Sequence, residues 1–341
     1  MPKASFRPYL VNLLLLALAL ILSVAAGAVP IPPFQLLQRV VEQLTGWVLL
    51  VDWPQTFETI VFRIRLPHAV LVILAGSALA GSGAGYQAVF RNPLADPYLI
   101  GVASGAGLGA VMAMALREQG QISGLYTVPI GAFVGALLTV LIVYVLAQWR
   151  GVESTTTLIL AGVAVSAFAS SLTSYLMLRS QGELYRAIAW LLGGTTMNGW
   201  DPVLASLPYI VVGLVALLIS GYAMNVLQFG EDQASQLGLN VRRAKGVILV
   251  GASLATAAAI SFSGVIGFVG LIVPHIVRLV WGPDYRLLVP LSILAGATAL
   301  LLADLLARLL LAPQELPVGI ITALVGAPFF IWVLLHSTRR K

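Results

Sequence analysis

The sequence predicts an all-α polytopic membrane protein, about ten transmembrane helices in one bundle, with a short cytoplasmic coupling helix between helices 6 and 7. Three observations predict it. Mean hydropathy is +0.97. Only 9% of the residues are charged against 59% hydrophobic. The apolar residues come in runs of roughly 20, enough to cross about 30 Å of hydrocarbon as helix. The runs lie at 9–29, 66–88, 94–116, 124–148, 156–178, 203–224, 246–263, 265–281, 287–310 and 316–335.

Taken in chain order, the first run follows Lys3 and Arg7 in the manner of a secretory signal, and "AAGA" offers small residues for cleavage. Its apolar stretch exceeds the usual 7–15 residues of such a region, so an uncleaved first helix is expected. The segment 30–65 holds only enough polar sequence for a short interfacial helix around "FQLLQRVVEQL". Between the second and third runs, "RNPLADPYLIGVASGAG" (91–107) places Pro93 and Pro97 so that Asn92 and Asp96 avoid the α region, and Asp96 can cap the next helix. This is a rigid capped loop or, in a sharper reading, a stiff gate. Within it "GAGLGA" (105–110) satisfies G-x-G-x-x-A, but no strand precedes it, so helix packing through small residues is expected.

"VESTTTLILAGVAV" (152–165) puts Ser154, Thr155, Thr156 and Thr157 at the entry of the fifth run, as ordinary helix caps or as the lining of a narrow passage. After the sixth run, "GEDQASQLGLNVRRAK" (230–245) stands out for its polarity. Glu231 and Asp232 at a first turn, then "QASQL" and Gly238 as a stop, predict a short helix, either a solvated loop element or a docking knob with Leu237 and Leu239 as apolar contacts. "GASL" (251–254) resembles a short intramembrane-protease serine motif, but no histidine is placed at its depth to complete a site. At the outer face, "FRIRLPHAV" (62–70) carries Arg63 and Arg65. Asp304 and Arg308 in the ninth run are spaced i,i+4 and can pair on one helix face. Such outer arginines ask for acidic partners or serve as helix-end anchors.

With ten crossings, twelve of the 19 bases (Lys3, Arg7, Arg91, Arg150, Arg242, Arg243, Lys245, Arg278, Arg286, Arg339, Arg340 and Lys341) fall on one side, which places both termini and residues 230–245 in the cytoplasm. The chain reads as one permease domain over 1–341, with a cytoplasmic coupling loop at 226–244; "LAGSALAGSGAG" and "LAGATALLLAD" hint at two related halves.

Several functions are disfavoured. Nine run centres lack ionisable groups, so a proton relay has little to stand on; the exception holds His275 and Arg278. Three histidines (68, 275, 336) and no cysteine exclude an all-protein site for zinc or ferrous iron. No basic patch interleaved with aromatics suggests nucleic acid. No G-x-x-x-x-G-K-[ST] is present, so ATP energy must arrive from a partner.

Five segments, "RLPHAVLVILAGSALAGSGAGYQAVFRNPLADPYLIGVASGAGLGA", "LILAGVAV", "GEDQASQLGLNVRRA", "GFVGLIVPHIVRL" and "ELPVGIITALVGAPFFIWVLL", resemble in order and spacing the permease subunits of type II ABC importers for iron–siderophore chelates, haem and cobalamin. The resemblance runs from about 60 to 335. It implies a homodimer in the cytoplasmic (inner) membrane of a prokaryote, two ATP-binding cassette subunits that hold ATP-Mg, an extracytoplasmic substrate-binding protein, and no cofactor or metal on this chain. It also implies ATPase coupling through Glu231, Asp232, Gln233, Gln236, Leu237, Gly238 and Leu239. Thr155 and Thr156 would form one translocation gate, and Asn92 with Leu94 a second. Arg65 and Arg308, with Arg63 in support, would dock the binding protein. The family often writes "RLPR" where this chain has His68, which leaves open whether His68 or Arg63 stands in for the second arginine. The cargo expected on this reading is an iron(III)-chelate, with cobalamin as the alternative. The contrasting classes are an ATP-independent secondary transporter or channel and an intramembrane enzyme.

Overall fold

The computed structural model describes residues 6–27, 29–45, 53–121, 123–149, 155–179, 182–194, 197–312 and 314–337. Among them every regular element is helical. In chain order they are α1 (Arg7–Ala25), α2 (Pro33–Thr45), α3 (Gln55–Phe90), α4 (Val102–Glu118), α5 (Thr127–Gln148), α6 (Thr155–Arg179), α7 (Leu184–Leu191), α8 (Asp201–Ile219), α9 (Gly221–Leu227), α10 (Glu231–Gln236), α11 (Val241–Ser263), α12 (Val269–Trp281), α13 (Tyr285–Leu310) and α14 (Val318–Ser337).

All ten expected spans fall on helices, but seven of these helices (α1, α3, α5, α6, α8, α11 and α13) are long and apolar enough to cross a membrane alone. Local breaks shorten others. The third span starts at Val102 and not 94, because Pro97 opens a single 3-10 turn to Ile100 and Gly101 sits at φ 84°. The eighth starts at Val269, after Phe268 at φ 70°. The sixth divides into α8 and α9 at Ser220, whose hydroxyl donates to Ala216 O at 2.7 Å. The second is longer than its apolar run, since α3 begins at Gln55 and passes through a π-helical stretch over Thr59–Arg65. α2 supplies the short helix expected around "FQLLQRVVEQL", and α7 is an element the sequence reading did not predict.

The centre of the bundle is α3, buried without interruption from Ala75 to Phe90. It packs on α11 and α13, while α4 packs on α5, α8 on α11 and α1 on α13. Small residues set these distances. A Cβ added at Gly109 would lie 1.9 Å from Gly131 O, so "GAGLGA" is a helix-contact surface between α4 and α5 and its match to a nucleotide loop is accidental. With lipid as apolar as leucine, such close packing and interhelical hydrogen bonds hold the helices together. Ser82 Oγ donates to Ala252 O at 2.9 Å, and Tyr86 Oη shares a hydrogen bond with Ser253 Oγ at 2.7 Å. The serine of "GASL" is therefore an interhelical contact.

Candidate functional site

The residues singled out by sequence gather at the two ends of the bundle. At one end, α9 leads through Phe229 and Gly230 into α10. Glu231 and Asp232 occupy its first turn, where acids meet the positive end of the helix. Gly238, at φ 85°, stops it in a left-handed turn that a side chain would strain, and Leu239 N donates back to Ala234 O at 3.0 Å. Asn240 then caps α11, accepting from Arg243 N at 3.0 Å. Each step of this knob is dictated by a residue type: acid, glycine, asparagine.

Its surface is uneven. Ala234 is fully buried, whereas Asp232, Gln233, Gln236, Leu237 and Gly238 are exposed. Leu237 is 66% exposed and Phe229 63%, so two large apolar side chains flank the knob without cover. Leu239 turns inward and packs against the core. Glu231 is ion-paired with the largely buried Lys245, which ties α10 to α11.

The same end carries the connection from α3 to α4. Asn92 Oδ1 accepts from Leu94 N at 3.0 Å and Asp96 Oδ1 from Tyr98 N at 2.8 Å, two side-chain turns that hold the proline-bounded loop rigid. Tyr98 Oη donates to Ile266 O at 2.6 Å and accepts from Ile266 N at 3.0 Å, clamping the loop to the start of α12. Asn92 is exposed and Leu94 half-buried. Thr155 lines a small cavity with Phe90, Arg242 and Lys245, while Thr156 is exposed. Ser154 lies outside the described residues. The two threonines thus face different surroundings, and neither touches Asn92 or Leu94 through a hydrogen bond.

A polar network missed by sequence reading runs beneath this surface. Arg278 donates to Gln87 Oε1 at 3.0 Å and to Tyr285 Oη at 3.1 Å, and Gln87 donates to Leu271 O at 3.2 Å. Asn225 Nδ2 donates to Asp284 Oδ1 at 2.7 Å, joining α9 to the start of α13. Hydrogen bonds from Arg286 and Asn225 hold the Asp284 carboxyl well below the usual carboxylate range. The available signal was Gln87, a lone amide inside an apolar, glycine-rich helix.

At the opposite end, Arg65 donates to Val24 O at 2.8 Å, Ala25 O at 3.1 Å and Val29 O at 2.6 Å. Arg308 donates to Asp304 Oδ2 at 2.9 Å and to Ser23 Oγ at 2.8 Å. Both guanidiniums thus reach the C-terminal end of α1, where helix carbonyls lack internal partners. The expected i,i+4 pairing of Asp304 with Arg308 is present. His68 Nε2 bonds the other oxygen of Asp304 at 2.8 Å. Arg63 is exposed and forms no side-chain hydrogen bond or ion pair among the described residues.

Comparison with known proteins is consistent across three measures. The model of the FecCD transport family matches residues 15–336. The cobalamin import system permease protein BtuC of Halobacterium salinarum is 49% identical over 281 residues, covering 82% of this chain and 74% of that one. The hemin transport system permease protein HmuU of Yersinia pestis is 39% identical over 282 residues, with 82% and 84% covered. A solved structure described as an inward-facing conformation of a metal-chelate type ABC transporter superposes with a TM-score of 0.80 at 30% identity, covering 96% of this chain and 98% of that one. The chain is a multi-pass membrane protein, and it belongs to the FecCD transport family of ABC importer permeases.

Proposed function

We propose that the chain is the membrane half of an ATP-driven importer, working as a homodimer with two ATP-binding cassette subunits on the α10 side and a substrate-binding protein on the other. The observation that carries this reading is α10 itself. It is a capped helix presenting uncovered Leu237 and Phe229 on a protein whose sequence has no P-loop. An ATPase seated there would move α10, and the Glu231–Lys245 pair would pass the displacement to α11 and through it to α3 and α8. Thr155, Thr156, Asn92 and Leu94 serve in this reading as the gate on the same side.

α6 supports the dimer. Of its length only Gly162, Ala169 and Thr173 are buried, and Leu160, Val163 and Phe168 stand free for a second copy around a central path. The bias of the basic residues favours both termini and α10 on the cytoplasmic side, and the family match supports the inner membrane of a prokaryote. Arg63, exposed and without an ion pair among the described residues, beside the more tightly held Arg65 and Arg308, is the cation best placed for an acidic partner outside.

The cargo class is a transition metal held in an organic chelate. Among cobalamin, haem and iron–siderophore, the 49% identity to a cobalamin permease favours a corrinoid. Purification of the tagged chain from its own membranes, with mass spectrometry of what accompanies it, tests the assignment. A P-loop ATPase in the complex and corrinoid-stimulated hydrolysis are expected. A chain that purifies alone and transports without ATP overturns it.

A further inference from the structure

α9 joins the sixth span to the knob, yet it packs chiefly on α13 and α3. Gly221 admits the close approach, since a Cβ there would stand 3.2 Å from Arg286 Cα. Met224 and Leu227 are buried by the docking. On its other side the backbone is hydrogen-bonded without a gap into α10, from Gly230 N to Leu227 O at 3.1 Å and from Ala234 N to Gly230 O at 2.9 Å. α9 and α10 therefore form one piece.

Asn225 fixes this piece to α13. Its Nδ2 donates to Asp284 Oδ1 at 2.7 Å, and its Oδ1 accepts from Tyr285 N at 2.9 Å. Tyr285 opens α13, where the first N–H groups have no partner within the helix. An amide carries a donor and an acceptor side by side, so it can grip a carboxylate and a backbone N–H together. Gln228 adds a bond to Ala88 O of α3 at 3.3 Å. Beyond Tyr285 the polar chain continues, because Tyr285 Oη accepts from Arg278 of α12, which also donates to Gln87 of α3.

We infer that Asn225 is a positioning residue for the ATP-driven cycle: it latches the α9–α10 piece to the start of α13, so that a displacement of α10 reaches α13 and, through Arg278, α12 and α3. The inference rests on the reading of α10 as the ATPase seat. It adds a second arm to the one through Glu231 and Lys245, which leads to α11. Apolar contacts can slide, whereas two hydrogen bonds of fixed direction hold register. Docking alone and coupling differ in what fails when the latch is removed. A docking contact lowers stability, ATPase capture and hydrolysis together, while a latch leaves hydrolysis running and the outer end of the bundle still.

The test uses the full-length chain with its co-purified ATPase subunits in nanodiscs, spin-labelled at Leu178→Cys, an 87% exposed site at the outer end of α6 in a chain with no other cysteine. The label distance between the two copies is read by pulsed electron resonance before and after trapping with ATP-Mg and vanadate, beside ATP hydrolysis and the thermal midpoint. The parent should show an ATP-driven change in distance. Asn225→Asp sets two carboxylates against each other, and it should shrink that change about threefold or more while ATPase capture and hydrolysis stay within about twofold of the parent. Asn225→Ala, which removes both bonds without repulsion, should act in the same direction. Asn225→Asp with Asp284→Asn exchanges donor and acceptor and restores both bonds of the latch, so it should recover the parental change. A parental distance change in Asn225→Asp, no recovery in the double variant, or a midpoint, ATPase capture and hydrolysis that fall in proportion to the distance change would each overturn the latch and leave the transport reading standing. A parent that does not respond to ATP would overturn the transport reading and the latch with it.

Discussion

His68 Nε2 stands 2.8 Å from Asp304 Oδ1 while Arg308 holds Oδ2 at 2.9 Å, so one buried carboxylate on α13 serves a residue of α3 and, through Arg308, the end of α1. His68 thus turns inward, toward Asp304. Removing the charge while keeping the shape isolates the role of Asp304. Asp304→Asn should destabilise the protein by about 3 kcal/mol, the usual cost of leaving a buried cation unmatched. Thermal unfolding in detergent reads it, and an unchanged midpoint would show the network to be dispensable.

The outer arginines separate by the same logic. Arg65→Glu should lower the unfolding midpoint, because the Val24, Ala25 and Val29 carbonyls would lose their donor. Arg63→Glu should leave the midpoint in place and weaken association with the binding protein in a salt-sensitive way. Calorimetry of the variants beside titration of the partner distinguishes the two, and equal effects in both assays would refute the separation.

Small residues on α3 make a sharper packing prediction. A Cβ at Gly83 would stand 1.8 Å from Gly270 O, a backbone atom, whereas at Gly85 its nearest neighbour is Leu217 Cδ2 at 2.9 Å, the end of a movable side chain. Gly83→Ala should cost about 3 kcal/mol and Gly85→Ala well under half of that. Detergent-resistant yield and unfolding temperature check the order, and a reversed ranking would contradict the packing described.

Asp284 predicts a pH dependence. It caps α13 through Arg286 N at 3.0 Å, and Arg286 and Asn225 depress its pKa. A depressed carboxylate contributes stability that is complete above its unfolded pKa, about 3.9, and that is lost as pH falls through the lower folded value. Asp284→Ala should therefore lose about 1 kcal/mol at neutral pH, with the gap to the parent constant down to about pH 4 and closing below it. A gap independent of pH down to the acid limit would remove Asp284 from this role.

What could be read in advance followed from chemistry that is local in sequence. Apolar runs located the helices because lipid leaves the backbone no other partner than itself. Glu231, Asp232 and Gly238 announced α10 because acidic first turns and left-handed turns depend on single residue types. The Asp304–Arg308 pair was legible because four residues make one helical turn. The rest depends on contacts distant in sequence. That Arg65 would be absorbed by carbonyls some forty residues earlier, that His68 would choose Asp304, and that Gln87 would meet Arg278 are tertiary facts with no local signature. Leu237 and Leu239 were indistinguishable as sequence, yet only the first is exposed. The start of α3 at Gln55 was hidden because its first turns are polar, and hydropathy cannot see a helix that leaves the membrane.

The central claim is that α10 couples an ATPase to the helices behind it, and Leu237 tests it most directly. Leu237→Asp, changed at an exposed site with Glu231 and Lys245 intact, should leave insertion and dimerisation as in the parent. It should lower capture of the ATPase subunits and chelate uptake in proteoliposomes by tenfold or more. Parental ATPase capture and uptake in that variant would contradict the account and return α10 to the status of a solvated turn.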